Sequence, residues 1–337
     1  MKYSAEKKQA IRLYILEKIS AGAENLSKTA AEALGISTNT VHSCLNELLA
    51  GGIIEKQARG KYRLCETVSE YTFRRSLGEL ESDTVAYDVC LRDKLCDLPD
   101  SIKHIWSYAL SEMVNNVIDH SGAECMRISV TQSYLTTSVS VMDNGVGIFE
   151  KIRSHFSLQS HEEAICELFK GKLTTDRANH SGEGIFFSSK MMDTFFILSG
   201  GKVFSTSKYE NEHVLDLEDP ILGTFVYMSL SNFTARTAKE VFDLYANTEG
   251  VFTTTRIPIR SIFDSAPVSR SQAKRLANRL ESFTEVIFDF EGVGWMGQGF
   301  AHQLFSVFAR SHPELSLVAI NMNEGVSAMY RHVMGGD

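Results

Sequence analysis

Two polar side chains lie one helical turn apart in a long amphipathic stretch near the middle of the chain. In residues 101–122, SIKHIWSYALSEMVNNVIDHSG, apolar residues recur at helical spacing, which predicts a helix that packs on a core. Glu112 and Asn116 share one face of this helix, and Asp119 or His120 continues it. A carboxylate and an amide on one face are residue types that can transfer protons and bind hard cations.

Glycine-containing motifs follow this helix in a fixed order. Two alternating stretches, CMRISVTQ and TTSVSVMD, predict strands, and the second runs into Asp143-Asn144-Gly145-Val146-Gly147-Ile148. A later loop reads His180-Ser181-Gly182-Glu183-Gly184-Ile185, and Gly223-Thr224 precedes the strand FVYMSL. Together with the helix, these motifs resemble the ATP-binding fold shared by histidine kinases, type II topoisomerases, mismatch-repair ATPases and anti-sigma-factor kinases, the GHKL or Bergerat family. The resemblance covers roughly residues 100–232.

The resemblance implies a role for each polar residue of these motifs. It implies that Asn116 binds Mg²⁺ through its amide oxygen, which adds no full negative charge beside a triphosphate. It also implies that Glu112 positions or deprotonates a water for attack on the γ-phosphate. Asp143 would accept a hydrogen bond from the exocyclic amine of adenine, and Thr224 would complete that contact, often through water. ATP and Mg²⁺ are therefore the expected cofactors.

The glycines and the segment between them complete what the resemblance implies. Gly145 and Gly147 would allow a backbone turn close to the base, and Gly182 and Gly184 would bring main-chain amides to phosphate at the start of a helix. The intervening segment 149–181 would form a lid over the nucleotide. Its candidate phosphate contacts are Lys172, Arg177 and His180. The loop SGEGIFF has fewer glycines than the GxGxG of many histidine kinases, which is a departure from the pattern.

The N-terminal residues predict three helices followed by a hairpin. AEKKQAIRLYILEKIS shows helical spacing of its isoleucines, KTAAEALG follows Ser27 and stops at Gly35, and TVHSCLNELLAGG follows Ser37. The stretch IIEKQARGKYRLC then predicts two short strands around a basic tip. This arrangement resembles bacterial winged helix-turn-helix domains.

The resemblance to winged helices implies a surface for double-stranded DNA. The recognition helix would present to base edges Ser37, Thr38, Asn39, Thr40 and His42. The wing would contact the phosphate backbone through Lys56, Arg59, Lys61 and Arg63. Residues 1–66 hold ten Lys and Arg against seven Asp and Glu, or +3, while the whole chain carries −8 and the remainder therefore −11. Dimerisation or protein contact alone is the alternative role for such a domain.

The C-terminal residues alternate between helix and strand patterns, which predicts a small α/β domain. Ser269 to Gln272 reads as a capping box that opens the helix AKRLANRLESF, and Asn323 starts a last helix. The stretch VIFDFEGVGWMGQGFAHQLF resembles the central strand, loop and helix of STAS-like domains, which in anti-anti-sigma factors carry a phosphorylatable serine in that loop. Residues 295–299 contain no hydroxyl here, and Ser306 falls inside the helix. Partner binding or internal docking is therefore favoured over phosphorylation.

The composition indicates a multidomain α/β (α+β) protein. The chain has 337 residues, 43% hydrophobic and 23% charged, and its six cysteines form no disulfide or zinc pattern. It contains no apolar run of about 20 residues and no secretory signal, so a cytoplasmic location is expected. The expected domains are a winged helix at 1–66, a connector at 67–100, an ATP-binding domain at 101–235 and a STAS-like domain at 250–337.

These patterns favour a DNA-binding regulator of transcription that is controlled by ATP. In that hypothesis the protein is a homodimer, the middle domain binds and hydrolyses ATP, and the STAS-like domain transmits the state or binds a protein partner. An anti-sigma-like serine/threonine kinase, targeted by its DNA-binding end, is the first alternative. In a second alternative, ATP binding without turnover stabilises one conformer. Neither a phosphoacceptor helix nor a receiver domain precedes the ATPase motifs, which disfavours a two-component histidine kinase.

Overall fold

The structure is a computed structural model that describes residues 3–173, 182–206, 221–263 and 265–335. The chain forms two compact units. The first comprises Met1–Glu70, Ser129–Val139 and Ser229–Thr234, and the second comprises Tyr71–Ile128, Ser140–Met228 and Ala235–Asp337. No helix in the described part of the chain combines the length and the apolar character needed to cross a bilayer.

The first unit contains the three helices and the hairpin that the sequence predicts. Their bounds are α1 (Ala5–Ser20), α2 (Leu26–Leu34), α3 (Thr38–Ala50), β1 (Ile54–Ala58) and β2 (Lys61–Leu64). Ser4 and Ser37 cap α1 and α3, because their side chains accept hydrogen bonds from the amides of Lys7 and Thr40. The two strands pair antiparallel, with Ile54 opposite Leu64. The assignment of these elements to a winged helix stays a prediction.

A turn from later in the chain completes the core of the first unit. Leu135 is buried in the same hydrophobic cluster as Ile15, Leu16 and Leu45. Beside it, the hydroxyl of Tyr134 accepts a hydrogen bond from the side-chain amide of Gln9 at 3.3 Å. The three-helix module therefore does not close its core with its own residues alone.

The middle of the chain forms a six-stranded sheet with the strand order β3-β4-β5-β8-β6-β7. The strands are β3 (Thr67–Arg74), β4 (Cys125–Gln132), β5 (Thr136–Asp143), β6 (Thr194–Ser199), β7 (Lys202–Ser205) and β8 (Thr224–Ser231). The segment predicted as a connector thus begins with an edge strand. The order brings the end of β5 beside the start of β8, so Asp143 and Thr224 come from adjacent strands.

Helices of the middle segment precede and follow these strands. They are α4 (Asp83–Tyr87), α5 (Asp100–Asn115), α6 (Ile148–His155), α7 (His161–Lys170), α8 (Gly184–Met191) and α9 (Ala238–Asp243). The long helix predicted over 101–122 is present, but its last part, Asn116–Ser121, is a π-helix. Such local changes of helical pitch are frequent at functional sites. The segment predicted as a lid contains α6 and α7.

The C-terminal part forms a parallel three-stranded sheet with the order β11-β10-β9. Its elements are β9 (Thr254–Pro258), α10 (Ile259–Ile262), α11 (Arg270–Ala277), β10 (Glu285–Asp289), α12 (Gln298–Ala301), α13 (Ala309–Ser311), β11 (Ser316–Ile320) and α14 (Glu324–Met334). A π-helix, His302–Phe308, joins α12 to α13 and contains the buried Ser306. The prediction of a multidomain protein of mixed helices and sheets is confirmed.

One C-terminal helix is shorter than its sequence predicts. The capping box of Ser269 and Gln272 is present at the start of α11. The helix predicted through residue 283 nevertheless ends at Ala277, because Asn278 leaves the helical conformation with ψ 131°, and Arg279 then adopts a left-handed backbone with φ 63°. A separate 3-10 turn, Leu280–Ser282, follows. The backbone carbonyls of Asn278 and Ser282, after α11 and at the end of the 3-10 turn, therefore accept hydrogen bonds from donors elsewhere in the chain.

Candidate nucleotide site

A cavity of about 410 Å³ lies in the second unit. Its size falls within the roughly 300–1,000 Å³ that is usual for small-molecule sites. Polar residues from α5 and the end of β5, glycine-containing loops and apolar side chains such as Val141, Ile152 and Ile197 form its wall. Among the predicted site residues, the following line it: Glu112, Asn116, Asp143, Gly147, Gly182, Gly184 and Thr224.

Asp143 is the buried carboxylate of this cavity. The residue is 4% exposed, and the amide of Gly145 donates a hydrogen bond to its Oδ1 at 2.7 Å. Burial raises the pKa of Asp143, while hydrogen bonds from Gly145 and from the backbone and side chain of Thr224 oppose the rise. A buried acceptor in a ligand-sized cavity is suited to a donor such as an amino group on a planar base.

Thr224 connects Asp143 to the start of α6. Its Oγ1 accepts a hydrogen bond from the amide of Ile148 at 3.0 Å. Gly147, just before α6, has φ 82°, and a Cβ there would lie 2.6 Å from Oγ of Ser199. Glycine is required at this position both for the backbone conformation and for the space.

Glu112 and Asn116 face the cavity from α5. Asn116 stands where α5 ends and the π-helix begins, so the change in pitch occurs at the predicted Mg²⁺ ligand. The carboxylate of Glu112 lies against Gly184, the first residue of α8, at a place where a Cβ on Gly184 would overlap it. Burial and the carboxylates of Glu112 and Glu183 raise the pKa of Tyr108, one turn earlier on α5.

The start of α8 supplies backbone donors at the same cavity. The amide of Leu173 donates to the carbonyl of Gly182 at 2.8 Å, which fixes the loop before the helix. The first amides of a helix have no partner within it, and they favour an anion together with the helix dipole. Gly182 and Gly184 line the cavity at this point, so main-chain amides can approach a phosphate there.

Lys172 is directed elsewhere, contrary to the expectation that it contacts phosphate. Its Nζ donates a hydrogen bond to the carbonyl of Ser282 at 2.8 Å and lies over the rings of Phe252 and Phe283. The carbonyl and the two rings attract the ammonium group and hold it on the C-terminal segment. The other two candidates, Arg177 and His180, lie outside the described residues.

The cavity wall includes polar residues to which the sequence did not assign a role. Lys151 lies on α6, and His120 lies in the π-helix, which makes them the basic side chains of the described wall. Lys151 lies one helical turn after Ile148, and this spacing is the signal that could have revealed it, whereas His120 already shared a predicted helix face with Asn116. Gly145, in contrast, contributes through its hydrogen bond to Asp143, and it packs closely on the carbonyl of Ser121.

The side chains predicted to read DNA lie at the start of α3 and on the hairpin. Ser37, Thr38, Asn39 and His42 are exposed and Thr40 is half-buried. The four basic side chains of the hairpin are also exposed, namely Lys56, Arg59, Lys61 and Arg63. Ser37 and Arg63 already have partners within the domain. Ser37 caps α3, and Arg63, which the sequence predicts to contact phosphate, forms an ion pair with Glu55.

Comparison with known protein families assigns two segments of the chain. Residues 104–230 match the family described as histidine kinase-, DNA gyrase B-, and HSP90-like ATPase. Residues 272–327 match a STAS-like domain of unknown function (DUF4325). Neither match includes residues 1–66, and no curated protein matches the chain. The chain therefore contains an ATPase domain of the histidine kinase, DNA gyrase B and HSP90 kind, followed by a STAS-like domain.

Proposed function

We propose that this protein binds ATP with Mg²⁺ in the cavity between α5 and the loops that follow β5 and precede α8, and that it hydrolyses the nucleotide. The observation that supports this most strongly is the pairing of a buried carboxylate, Asp143, with Glu112 and Asn116 in one cavity of nucleotide size. The match of residues 104–230 to an ATPase family supports the same proposal.

The residues present fit adenine and phosphates at different parts of this cavity. Asp143 accepts hydrogen bonds and is held by Gly145 and Thr224, so it can accept one from the exocyclic amine of adenine but not from the carbonyl of guanine. The first amides of α8 and the ammonium of Lys151 are suited to phosphate. A ligand with an uncharged base and an anionic tail would use both kinds of group.

The residues also fit Mg²⁺ when it is bound together with phosphate. Among the described residues, no group of three His, Cys, Asp or Glu side chains could hold a metal ion. Mg²⁺ typically takes one or two protein oxygens plus phosphate oxygens and water, and the amide oxygen of Asn116 is the protein ligand that we assign. When bound, the ion would neutralise charge on the phosphates.

Glu112 is the candidate general base for hydrolysis. It lies one turn from Asn116 on α5 and against the start of α8, where we place the phosphates. A carboxylate there can orient a water and accept its proton as the water attacks the γ-phosphate, while the amides of α8 stabilise the developing charge. Measured phosphate release by the full chain tests this step. A protein that binds ATP without releasing phosphate would support the alternative in which binding alone stabilises one conformer.

We further propose that residues 1–66 bind double-stranded DNA as a homodimer and that the nucleotide state controls this binding. The exposed polar residues at the start of α3 and the exposed Lys56, Arg59 and Lys61 support this. A net charge of +3 provides few phosphate contacts, and a dimer doubles them. Two recognition helices would then read half-sites about one helical turn apart.

Anisotropy titrations with duplex DNA, with and without ATP, test the regulatory proposal. Arg59→Ala and Lys61→Ala should weaken binding to all sequences and flatten its salt dependence, whereas Asn39→Ala should reduce discrimination between sequences. Lys8→Ala is the matched control, because it removes the same charge from an exposed position on α1 and not on the hairpin. A monomer whose DNA affinity responds neither to the wing variants nor to ATP would contradict the regulator and favour the kinase. Transfer of labelled phosphate from ATP to a protein would identify the kinase directly.

The STAS-like segment is proposed to bind a protein partner or to transmit the nucleotide state. Its central loop contains no hydroxyl, and the side chain of Trp295 in this loop is 56% exposed. An exposed tryptophan is the kind of side chain that anchors protein interfaces. Phosphorylation in this loop is not part of the proposal.

A further inference from the structure

The segment that ends α7 faces two parts of the second unit at once. Leu168, Gly171 and Leu173 line the nucleotide cavity. Between them, Lys170 and Lys172 donate hydrogen bonds to backbone carbonyls of the STAS-like segment. One stretch of six residues therefore forms part of the cavity wall and also carries the bonds to the C-terminal domain.

Lys170 completes the end of α11. The residue is 1% exposed, and its Nζ donates to the carbonyls of Asn278 at 2.8 Å and Arg275 at 3.2 Å. These carbonyls lie at the C-terminal end of α11, where the amide of Asn278 also donates to the Arg275 carbonyl at 3.4 Å and where a cation is favoured by the helix dipole. The same Nζ donates to Oε1 of the buried Glu167 at 2.6 Å, so the ammonium is paired as well as hydrogen-bonded.

Arg279 makes the return contacts from the STAS-like segment. Its side chain lies 3.6 Å from the carboxylate of Glu167 and donates to the backbone carbonyl of Lys172 at 3.4 Å. Arg279 also stacks over the ring of Phe156, at 4.3 Å from the guanidinium carbon to the ring centroid. Arg279 makes these contacts just after the early end of α11, from a left-handed backbone conformation.

An aromatic contact connects the same two parts independently of these charges. Phe186 of α8 lines the nucleotide cavity and packs on Phe252, with ring centroids 4.8 Å apart. Phe252 in turn packs on Phe283 just before β10, at 5.3 Å. Packed rings of this kind transmit displacements because protein interiors are dense.

We propose that Lys170, Lys172 and Arg279 are positioning residues that couple the nucleotide site to the STAS-like segment, so that nucleotide binding and the conformation of residues 270–283 influence each other. The proposal rests on the proposed function of the cavity and names the STAS-like segment as the part of the protein that responds to the nucleotide. Because coupling between two sites is reciprocal, a change on the STAS-like side must alter nucleotide affinity, and a nucleotide must alter the STAS-like side.

The experiment measures both directions on the full chain. Calorimetry with Mg²⁺ and a non-hydrolysable ATP analogue gives the affinity of the wild type, of Arg279→Gln and of Lys274→Gln. Lys274 is the matched control, since it lies on α11 with an exposed side chain. We expect Arg279→Gln to lower the affinity for the analogue by about fivefold or more, which is the lower end of typical coupling between two sites. Equal affinities for Arg279→Gln and Lys274→Gln would overturn the coupling.

Hydrogen exchange gives the reverse direction. In the wild type, the analogue should slow amide exchange at residues 270–283 as well as at the cavity, and Lys172→Met should keep the slowing at the cavity but lose it at 270–283. Lys172→Met also covers the case in which Arg279→Gln fails to fold. Wild type that binds the analogue with unchanged exchange at 270–283 would contradict the coupling while leaving the ATP site intact. Wild type that gives no calorimetric binding would overturn the proposed function itself.

Discussion

The carboxylate of Glu112 lies against the α-carbon of Gly184, so that a methyl group on residue 184 would occupy the place of the carboxylate. The two residues are far apart in sequence and belong to the two features that the sequence assigned to water activation and to phosphate binding. Their contact fixes the carboxylate of α5 beside the first amides of α8. In the proposed function a general base must be within reach of a water next to the phosphate, and this contact would provide that geometry.

Gly184→Ala should therefore displace the carboxylate without unfolding the protein. The methyl group meets the flexible end of the Glu112 side chain, and alanine is favoured over glycine within a helix. We expect hydrolysis to fall by about 10²-fold, the loss that about 1 Å of misplacement can cause. In a Glu112→Gln background the added Gly184→Ala change should cost little more, and phosphate-release assays on the four proteins check this. Independent, multiplying losses would contradict the shared role.

Glu112→Gln alone should separate binding from turnover. The amide keeps the size of the side chain but cannot accept the proton of water. ATP affinity should stay within a few-fold of the wild type, while hydrolysis should fall by about 10²- to 10⁴-fold. Paired calorimetric and steady-state measurements check the split. Undiminished turnover would remove Glu112 from the mechanism.

Asp143→Asn should weaken ATP and at the same time change the pH dependence of stability. The loss of the carboxylate acceptor should lower ATP affinity by about tenfold or more, with little effect on the weaker binding of GTP. Burial raises the pKa of Asp143 in the folded state, so ionisation costs the wild type stability as pH rises from about 4, the unfolded value, through the folded pKa.

Asparagine does not titrate, and the variant escapes this loss. The free energy of unfolding of Asp143→Asn minus that of the wild type should therefore be larger at neutral pH than in acid, so the variant is relatively more stable at neutral pH. Urea denaturation at several pH values measures this difference. A difference in the free energy of unfolding that does not depend on pH would show that folding does not raise the pKa of Asp143.

Lys151→Met should weaken ligands that carry phosphates and spare those that do not. Lys151 is the lysine of the described cavity wall. The attraction between its ammonium and a phosphate in a partly solvated site is worth about 1 kcal/mol or more. We expect ATP affinity to fall by about fivefold to tenfold while adenosine affinity is unchanged. An equal loss for ATP and adenosine would mean that Lys151 acts on the shape of the cavity and not through its charge.

The local motifs of the site could be predicted from sequence because their geometry depends on short spacings. Glu112 and Asn116 share a helix face four residues apart, and the turn from Asp143 to Gly147 follows directly from a strand. Each of these side chains reaches the cavity through its own element. The type and order of such elements follow from periodicity and from glycine positions.

Contacts between segments distant in sequence could not be predicted in this way. Lys172 contacts Ser282, 110 residues later, in the 3-10 turn that follows the early end of α11. Leu135 belongs to the core of the three-helix module although it lies in a turn between two strands of the middle sheet. In both cases tertiary packing, which the local sequence pattern does not encode, decides what these side chains contact.

The most direct test of the account is a calorimetric titration of the full chain with ATP in the presence of Mg²⁺, repeated with Asn116→Ala. We expect saturable binding by the wild type that weakens when Mg²⁺ is removed. We also expect Asn116→Ala to lose this Mg²⁺ dependence together with most of its affinity, because the amide oxygen is the assigned ligand. Wild-type protein that binds no ATP, or a variant that matches the wild type with and without Mg²⁺, would contradict the assignment of this cavity.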